Sequence, residues 1–488
     1  MSNQFKLLTE RRFAPFFWTQ FLGAGNDNLF KFAFTVMVSY GIGVNNSTGL
    51  SPDLVVQAIA ALFILPFVLF SATSGQLSDK LEKTRLMRWV KNLEILIMLA
   101  AFWGFTTGNV MVLLLCTFGM GLHSAIFGPV KFAYLPQHLK PQELTGGNGM
   151  VEMGTFVSIL LGNLLGGILI AIPQVGPQYV AIACLVVAIL GRVAVQFVPL
   201  SPATAPDLVV NYNPFTETWR NLKLARTNPV VFRCLIGISW LWFFGAVMLT
   251  QFPSLARGTL KGDPHVASLL LVVFSLGIGL GSLACEILSR RRVEIGLVPI
   301  GALGMTVFTV DLYFAAKGYA APSDNLSVAL FWAQNGSGRV LFDLFALSFS
   351  AGLYSVPMYA LIQQRSLETH RARIIAANNI INALFMIVSA GMAAVLLGVL
   401  GFTVPQIFLV TALLNLVVVA YVFILAPEFV LRFVSYIMAH VIYRFKIKNE
   451  TAIPTEGACV VACNHVRDRK STRLNSSHAL TSRMPSSA

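Results

Sequence analysis

With 488 residues, 56% of them hydrophobic and 11% charged, and a mean hydropathy of +0.71, the chain is too apolar for a soluble globular protein, which carries about 25% charged residues. These numbers define an integral membrane protein, and 37 Phe and 38 Gly in apolar runs without period-2 alternation favour helices over barrel strands. The net charge of +14 would suit nucleic acid only if it were gathered on one face; it is spread through short loops, where basic residues report topology.

The start MSNQFKLLTERR leads directly into a full-length span with no small-residue cleavage site behind it, so no removable signal peptide is expected. Apolar windows of about 17 to 25 residues, the length a hydrocarbon core of about 30 Å demands, begin near Phe16, Val55, Val90, Val110, Asn148 and Tyr179. The first contains FLGAGNDNLFKF, residues 21–32. There Asp27 and Lys31 lie one turn apart on a face shared with Gln20 and Ala24, with Asn28 at its margin, while Asn26 points away and reads as a packing residue. A charge at mid-bilayer costs about 2.5 to 3.5 kcal/mol on insertion scales. The stripe therefore either lines a polar cavity or joins Asp27 to Lys31 as an ion pair that fixes helix packing.

The loop after the second span reads GQLSDKLEKTRL, residues 75–86. It resembles the signature loop of the major facilitator superfamily, G-x-L-x-D-R-x-G-R-R, through Gly75, Leu77, Asp79, Lys80 and Lys83, and departs from it at Glu82 and Thr84. Together with Arg85 these residues are expected to form a gating latch, in which Asp79 accepts bonds from a neighbouring helix N-terminus and the cations face anionic lipid. An ordinary basic loop is the alternative. His123, in GMGLHSAIFGPVK of the fourth span, is either a proton relay or a hydrogen-bonded packing residue. On the fifth span Thr145, Asn148, Glu152 and Thr155 make a second stripe, where Glu152 is a candidate to pair with Lys31, to take a proton, or to sit solvated near the cytoplasmic end. Gly162 with Gly166 is a small-xxx-small pair that lets helices approach closely.

Residues 199–229 are richer in Pro and charge and read as a linker with a short interfacial helix, capped by Asn213, opened by Pro214, and carrying Phe215, Trp219 and Leu222 on one face. Six further windows begin near Val230, Val266, Leu297, Val340, Ile374 and Thr403. The halves repeat weakly: WTQFLGA from Trp18 parallels WLWFFGA from Trp240, and Gly121, Leu122 and Asn148 recur as Gly352, Leu353 and Asn379. Such a parallel duplication implies two six-helix bundles. The second-half counterpart of the latch, GSLACEILSRRR, keeps Gly281 and Leu283 but shifts its acid to Glu286, so a degenerate latch is expected there; Gly277 with Gly281 repeats the small-residue spacing. Asp311 and Asp343 fall in the ninth and tenth spans without an assigned role. On the eleventh, Asn378 and Asn382 share a face with Asn379 beside them, suited to a polar headgroup or to interhelical hydrogen bonds.

Lys and Arg are distributed unevenly between alternate loops. One side has Lys6, Arg11, Arg12, Lys80, Lys83, Arg85, Arg88, Lys91, Lys131, Lys140, Arg220, Lys223, Arg226, Arg233, Arg290 to Arg292, Arg365, Arg371 and Arg373; the other has Arg257, Lys261, Lys317 and Arg339. By the positive-inside rule both termini are cytoplasmic. Cys116, Cys184, Cys234 and Cys285 lie in or beside spans and read as small hydrophobes.

FLGAGNDNLFKFAFTV, with ARIIAANNIINALF from Ala372, resembles the lysophospholipid transporter branch of the superfamily, whose first span carries a G-A-x-x-D-N motif met here by Gly23, Ala24, Asp27 and Asn28. The resemblance covers most of residues 10–425. It implies that lysophosphatidylethanolamine and related lysolipids cross the bacterial inner membrane for reacylation on the cytoplasmic side, in some members by a fused acyltransferase. After the last span comes an amphipathic cationic stretch, FVLRFVSYIMAHVIYRF, and then IPTEGACVVACNHV, which resembles the entry into a glycerolipid acyltransferase with its N-H-x-x-x-x-D motif. Asn464 and His465 are present, but Lys470 occupies the Asp position. From Arg467 the chain is polar and Ser-rich; it reads as adapter-like sequence after a truncated acyltransferase or as a disordered tail.

The expected fold is thus an all-α integral membrane protein with twelve transmembrane helices in a 6+6 major facilitator arrangement. Its expected parts are 1–198, the linker 199–229, 230–426, an amphipathic and acyltransferase-like segment 427–466, and the tail 467–488. The expected function is lysophospholipid flipping, with proton-coupled transport of small amphipathic solutes as the alternative and acyltransferase activity a third reading that the missing Asp opposes. Membrane lipids and a fused or separate acyltransferase are the expected partners, with no nucleic acid. No cofactor or metal is expected, since Cys459 and Cys463 have no further ligands at metal spacing.

Overall fold

In the computed structural model the described residues are 4–45, 49, 51–289, 296–320, 325–425 and 438. The first half contains α1 (Ala14–Tyr40), α2 (Pro52–Lys80), α3 (Lys83–Thr107), α4 (Val110–His138), α5 (Leu144–Ile170) and α6 (Gly176–Gln196). A connector carries α7 (Pro214–Arg226). The second half contains α8 (Pro229–Ser254), α9 (Pro264–Leu288), α10 (Leu297–Lys317), the short α11 (Val328–Trp332), α12 (Ser337–Arg365), α13 (Arg371–Ala394) and α14 (Val404–Leu425). Ser51, Glu82, Asn109, Asn213, Asn228, Asp263 and Ser327 each cap the helix that follows with a side-chain oxygen. These oxygens satisfy N–H groups that a helix start leaves unpaired.

Eleven helical segments of the described residues are long and apolar enough to cross a membrane. α1 is long enough, at 27 residues, but Gln20, Asn26, Asp27, Asn28 and Lys31 dilute its hydropathy. Within each half, glycines set the closest approaches. Gly162 and Gly166 of α5 lie against the backbone of α1 at Gly25 and Leu29, and Gly277 and Gly281 of α9 against that of α12 at Phe345 and Phe349, so that a methyl group at any of the four would collide. The duplication is visible in the same contacts. Gly121 of α4 abuts α2 at Phe63, and its counterpart Gly352 of α12 abuts α9 at Ile278. Cys116, Cys184, Cys234 and Cys285 are buried free thiols.

One end of the molecule, here called the basic end, carries the α2–α3 and α4–α5 turns, the connector and the α12–α13 turn. Hydrogen bonds join the two halves there. Asn148 of α5 donates to Gln363 of α12 at 2.6 Å, Gln363 in turn donates to Phe132 O of α4 at 3.1 Å, and Asp79 of α2 accepts from α13. Phe132 stacks on Tyr359 with ring centroids 4.4 Å apart.

Many basic residues assigned to loops from the sequence are helical, and two of them sit well inside the bundle. Lys91 and Lys131 lie inside α3 and α4, and α3 begins at Lys83, where Glu82 caps it, and not near Val90. Arg290 to Arg292, the amphipathic stretch apart from Met438, the Asn464–His465 motif and the tail lie outside the described residues.

Candidate functional site

The polar residues of α1 diverge onto four neighbouring helices. Asp27 accepts a hydrogen bond from Ser124 Oγ of α4 at 2.5 Å, and its Oδ1 is buried without a hydrogen-bond partner among the described residues. Lys31 does not close an ion pair with Asp27; its Nζ lies 3.7 Å from the centroid of the Phe63 ring of α2, a favourable cation–π geometry. Asn28 turns back onto its own helix, donating to Ala24 O at 2.8 Å. Asn26, read from the sequence as packing, donates to Glu94 Oε1 of α3 at 2.8 Å.

Glu94 is the centre of a buried charge network. Lys91 Nζ lies 2.6 Å from its Oε2 and His123 Nε2 3.3 Å from the same oxygen, with Lys91 and Glu94 side chains 1% and 0% exposed. Gly23 leaves room for this lysine, because a Cβ there would stand 2.6 Å from Lys91 Nζ. Lys91 and Glu94 are one turn apart on α3, so the pair forms with the helix itself.

One turn toward the basic end, Gln20 Oε1 accepts from Thr155 Oγ1 of α5 at 3.2 Å and from Lys131 Nζ of α4 at 3.5 Å. Glu152, also on α5, is buried and not solvated, and Lys31 is turned to Phe63 of α2, so of the three expected roles the pairing with Lys31 is not made. In the second half, Asn382 bridges α8 and α13. With its amide oriented to satisfy both atoms it donates to Ser239 Oγ at 2.7 Å and accepts from Asn378 Nδ2 at 3.2 Å and Trp242 Nε1 at 3.3 Å. Asn379 faces the other way, toward Gly128 of α4, and Asn148 belongs to the contact with Gln363 at the basic end.

At that end Asp79 sits on the first turn of α13. Its carboxylate accepts from Ala372 N at 3.1 Å, Arg373 N at 3.4 Å and Arg373 Nε at 3.2 Å, where the helix dipole favours an anion. Gly75 allows the contact, since a Cβ there would stand 2.6 Å from Ala376 Cβ. Lys83 is turned inward to Pro202 O at 3.2 Å, while Lys80 is half-buried and Arg85 exposed, the latter over the Trp89 ring. Glu82, a departure from the family pattern, caps α3 and accepts from Ser201 N at 2.7 Å, tying the connector to the loop.

The second-half counterpart is not degenerate. Glu286 of α9 lies against Gly146 in the first turn of α5 and accepts from Gln4 N at 3.2 Å, while Gln4 Nε2 donates to Leu283 O at 3.1 Å. The one-residue shift of the acid is absorbed because the N-terminal turn Gln4–Thr9 comes to meet it. Sequence reasoning missed Gln4, Lys91, Glu94, Ser124 and Lys131. Lys91 and Glu94 carried a signal in their i, i+3 spacing; Ser124 and Gln4 carried none, because their partners are remote in the chain.

A bundle of long apolar helices in two similar halves, joined at one end and carrying charges in its interior, defines the class of membrane transporters built from repeated bundles. A family model described as Major Facilitator Superfamily matches residues 16–341, and the chain belongs to that superfamily. It is 26% identical over 361 residues to the lysophospholipid transporter LplT of Enterobacter sp. (strain 638), covering 72% of this chain and 79% of that protein. To LplT of Escherichia fergusonii it is 25% identical over 391 residues, 78% and 88% of the two chains. Its fold is similar to that of a bacterial homologue of the iron transporter ferroportin in an outward-facing state, with TM-score 0.61, 15% identity and 84% and 98% coverage. It is similar also to the human organic anion transporter MFSD10 (TETRAN), with TM-score 0.62, 13% identity and 84% and 99% coverage.

Proposed function

We propose that the chain is a flippase moving lysophospholipids such as lysophosphatidylethanolamine across the bacterial inner membrane by alternating access. The observation that carries the reading is the Asp27 carboxylate, which takes one bond from Ser124 and keeps a buried oxygen unpartnered among the described residues. A buried carboxylate oxygen calls for a donor, and the ammonium of an ethanolamine headgroup is one. Lys31, held over an aromatic ring one turn away, supplies the cation for the phosphate of the same headgroup. Gln20, Glu152, Asn378 and Asn382 extend the polar set, whereas Asn28, Asn148 and Asn379 are turned to other contacts. The single acyl chain stays in apolar surroundings, a division suited to a substrate polar at one end. Relatives named lysophospholipid transporter support this substrate class.

The basic end is assigned to the cytoplasm by the positive-inside rule. There Gly75, Asp79, Lys80, Lys83 and Arg85 form the latch whose opening releases cargo to an acyltransferase, fused or separate. Purified protein in liposomes with labelled lysophosphatidylethanolamine tests the reading: protein-dependent flipping is expected, and its absence overturns it. The His123 imidazole beside Glu94 favours a second reading, proton-coupled transport of a small amphipathic solute. Uptake of such a solute driven by a pH gradient, with no lysolipid movement, would select it.

A further inference from the structure

At the basic end a cleft of about 560 Å³ opens between α7, the end of α2 and the start of α13. Gln76, Arg220, Asn221, Lys223, His370 and Arg373 supply its polar lining. The one carboxylate in the wall, Glu217, is already engaged by Asn211 Nδ2 at 3.3 Å and Arg220 at 3.5 Å. Three permanent cations line the cleft, Arg220 paired with Glu217 and Arg373 with Asp79, so Lys223 leaves positive charge in excess by one among these groups. Asn221 is almost wholly buried, and its Nδ2 has no acceptor among the described residues. Donors in excess, of mixed type and spread around a concave wall, match a ligand with several acceptor oxygens and negative charge. Leu208 and Leu224 give the cleft an apolar flank. The cleft is also fixed in shape: Gln76 exchanges two hydrogen bonds with the Asn211 backbone, at 2.9 and 2.7 Å.

We propose that this cleft binds a phosphate-bearing anion, and that its occupancy draws Arg373 away from Asp79 and loosens the contact between α2 and α13. Arg373 is the shared element, since it lines the cleft and holds Asp79 Oδ2 at the same time. The site is separate from Asp27 and independent of what the transporter carries.

The test uses the full chain in neutral detergent, with radiolabelled inorganic phosphate and short-chain phosphatidylglycerol as probes. Saturable binding of both supports recognition of phosphate itself; binding of the lipid alone supports a membrane headgroup as the source. In either case Arg220→Gln with Lys223→Gln is expected to weaken binding about tenfold, the loss of charge-assisted hydrogen bonds, whereas Lys140→Gln on the same end and Asp27→Asn leave it unchanged. No binding, or equal weakening by Lys140→Gln, overturns the site. Spin labels at the exposed positions Lys140 and Leu367, one in each half, read the gate. Their separation is expected to widen with saturating ligand, and binding without widening overturns the link to Asp79.

Discussion

Asp27 and Glu94 are both buried carboxylates of the first bundle, yet they are satisfied differently. Glu94 has Lys91, Asn26 and His123 around it, which makes it a structural charge. Removing one member of a buried pair strands the other, at a cost of about 3 to 5 kcal/mol. Lys91→Met should therefore lower the thermal stability of the purified protein by that order, and adding Glu94→Gln should restore most of it; equal losses in single and double variants would contradict the pairing. Among the described residues Asp27 has one hydrogen-bond partner and one oxygen without any. Asp27→Asn keeps its shape but removes its charge, so flipping in liposomes should fall more than about tenfold, as for a lost charge-assisted contact, while stability changes little.

Between elements, the two halves are held by paired devices at the basic end, each an acid at the end of one helix set on the first turn of another. Asp79 joins α2 to α13, and Glu286 joins α9 to α5 with Gln4 laid across it. Both contacts span the halves, so weakening either should favour opening of this end. Asp79→Asn, or removal of residues 4–9, is expected to raise thiol-reagent access to a cysteine placed at Met153, which lies near Gly279 across the junction. Unchanged labelling in both would show that the devices do not gate. Gly162→Leu tests a different layer: its side chain would meet the Gly25 carbonyl of α1, and misassembly, seen as aggregation on size-exclusion chromatography, is expected.

For the whole molecule, topology is open to direct measurement. Cysteines at the exposed residues Tyr40 and Tyr212 lie at opposite ends. A membrane-impermeant thiol reagent should label the first in intact cells and the second only after permeabilisation, and the reverse pattern would invert the assigned orientation. Much of this scale was legible from the chain alone. Hydropathy marked the spans, and Gly121 and Gly352 betrayed the duplication because a close helix crossing tolerates few residue types. The interior was less legible. Lys91 and Lys131 read as loop residues because hydropathy treats every cation alike, and what keeps them inside, Glu94 for one and Gln20 and Thr155 for the other, is visible only after the helices pack. The face shared by Asp27 and Lys31 was found, but side-chain reach sent each to a different neighbour.

The polar character of α1 also bears on how the chain is made. Asp27 and Lys31 each disfavour bilayer insertion by about 2.5 to 3.5 kcal/mol, and the partners that compensate α1, Ser124 and Glu94, stand on helices synthesised later. A nascent chain that ends after α2 therefore holds a first segment too polar to partition stably into lipid. At that length α2 anchors the chain, so a membrane-impermeant thiol reagent should fail to reach a cysteine placed at Tyr40, the far end of α1, and should reach it once α3 and α4 have emerged. Stable seating of α1 is thus expected only once the fourth helix is present.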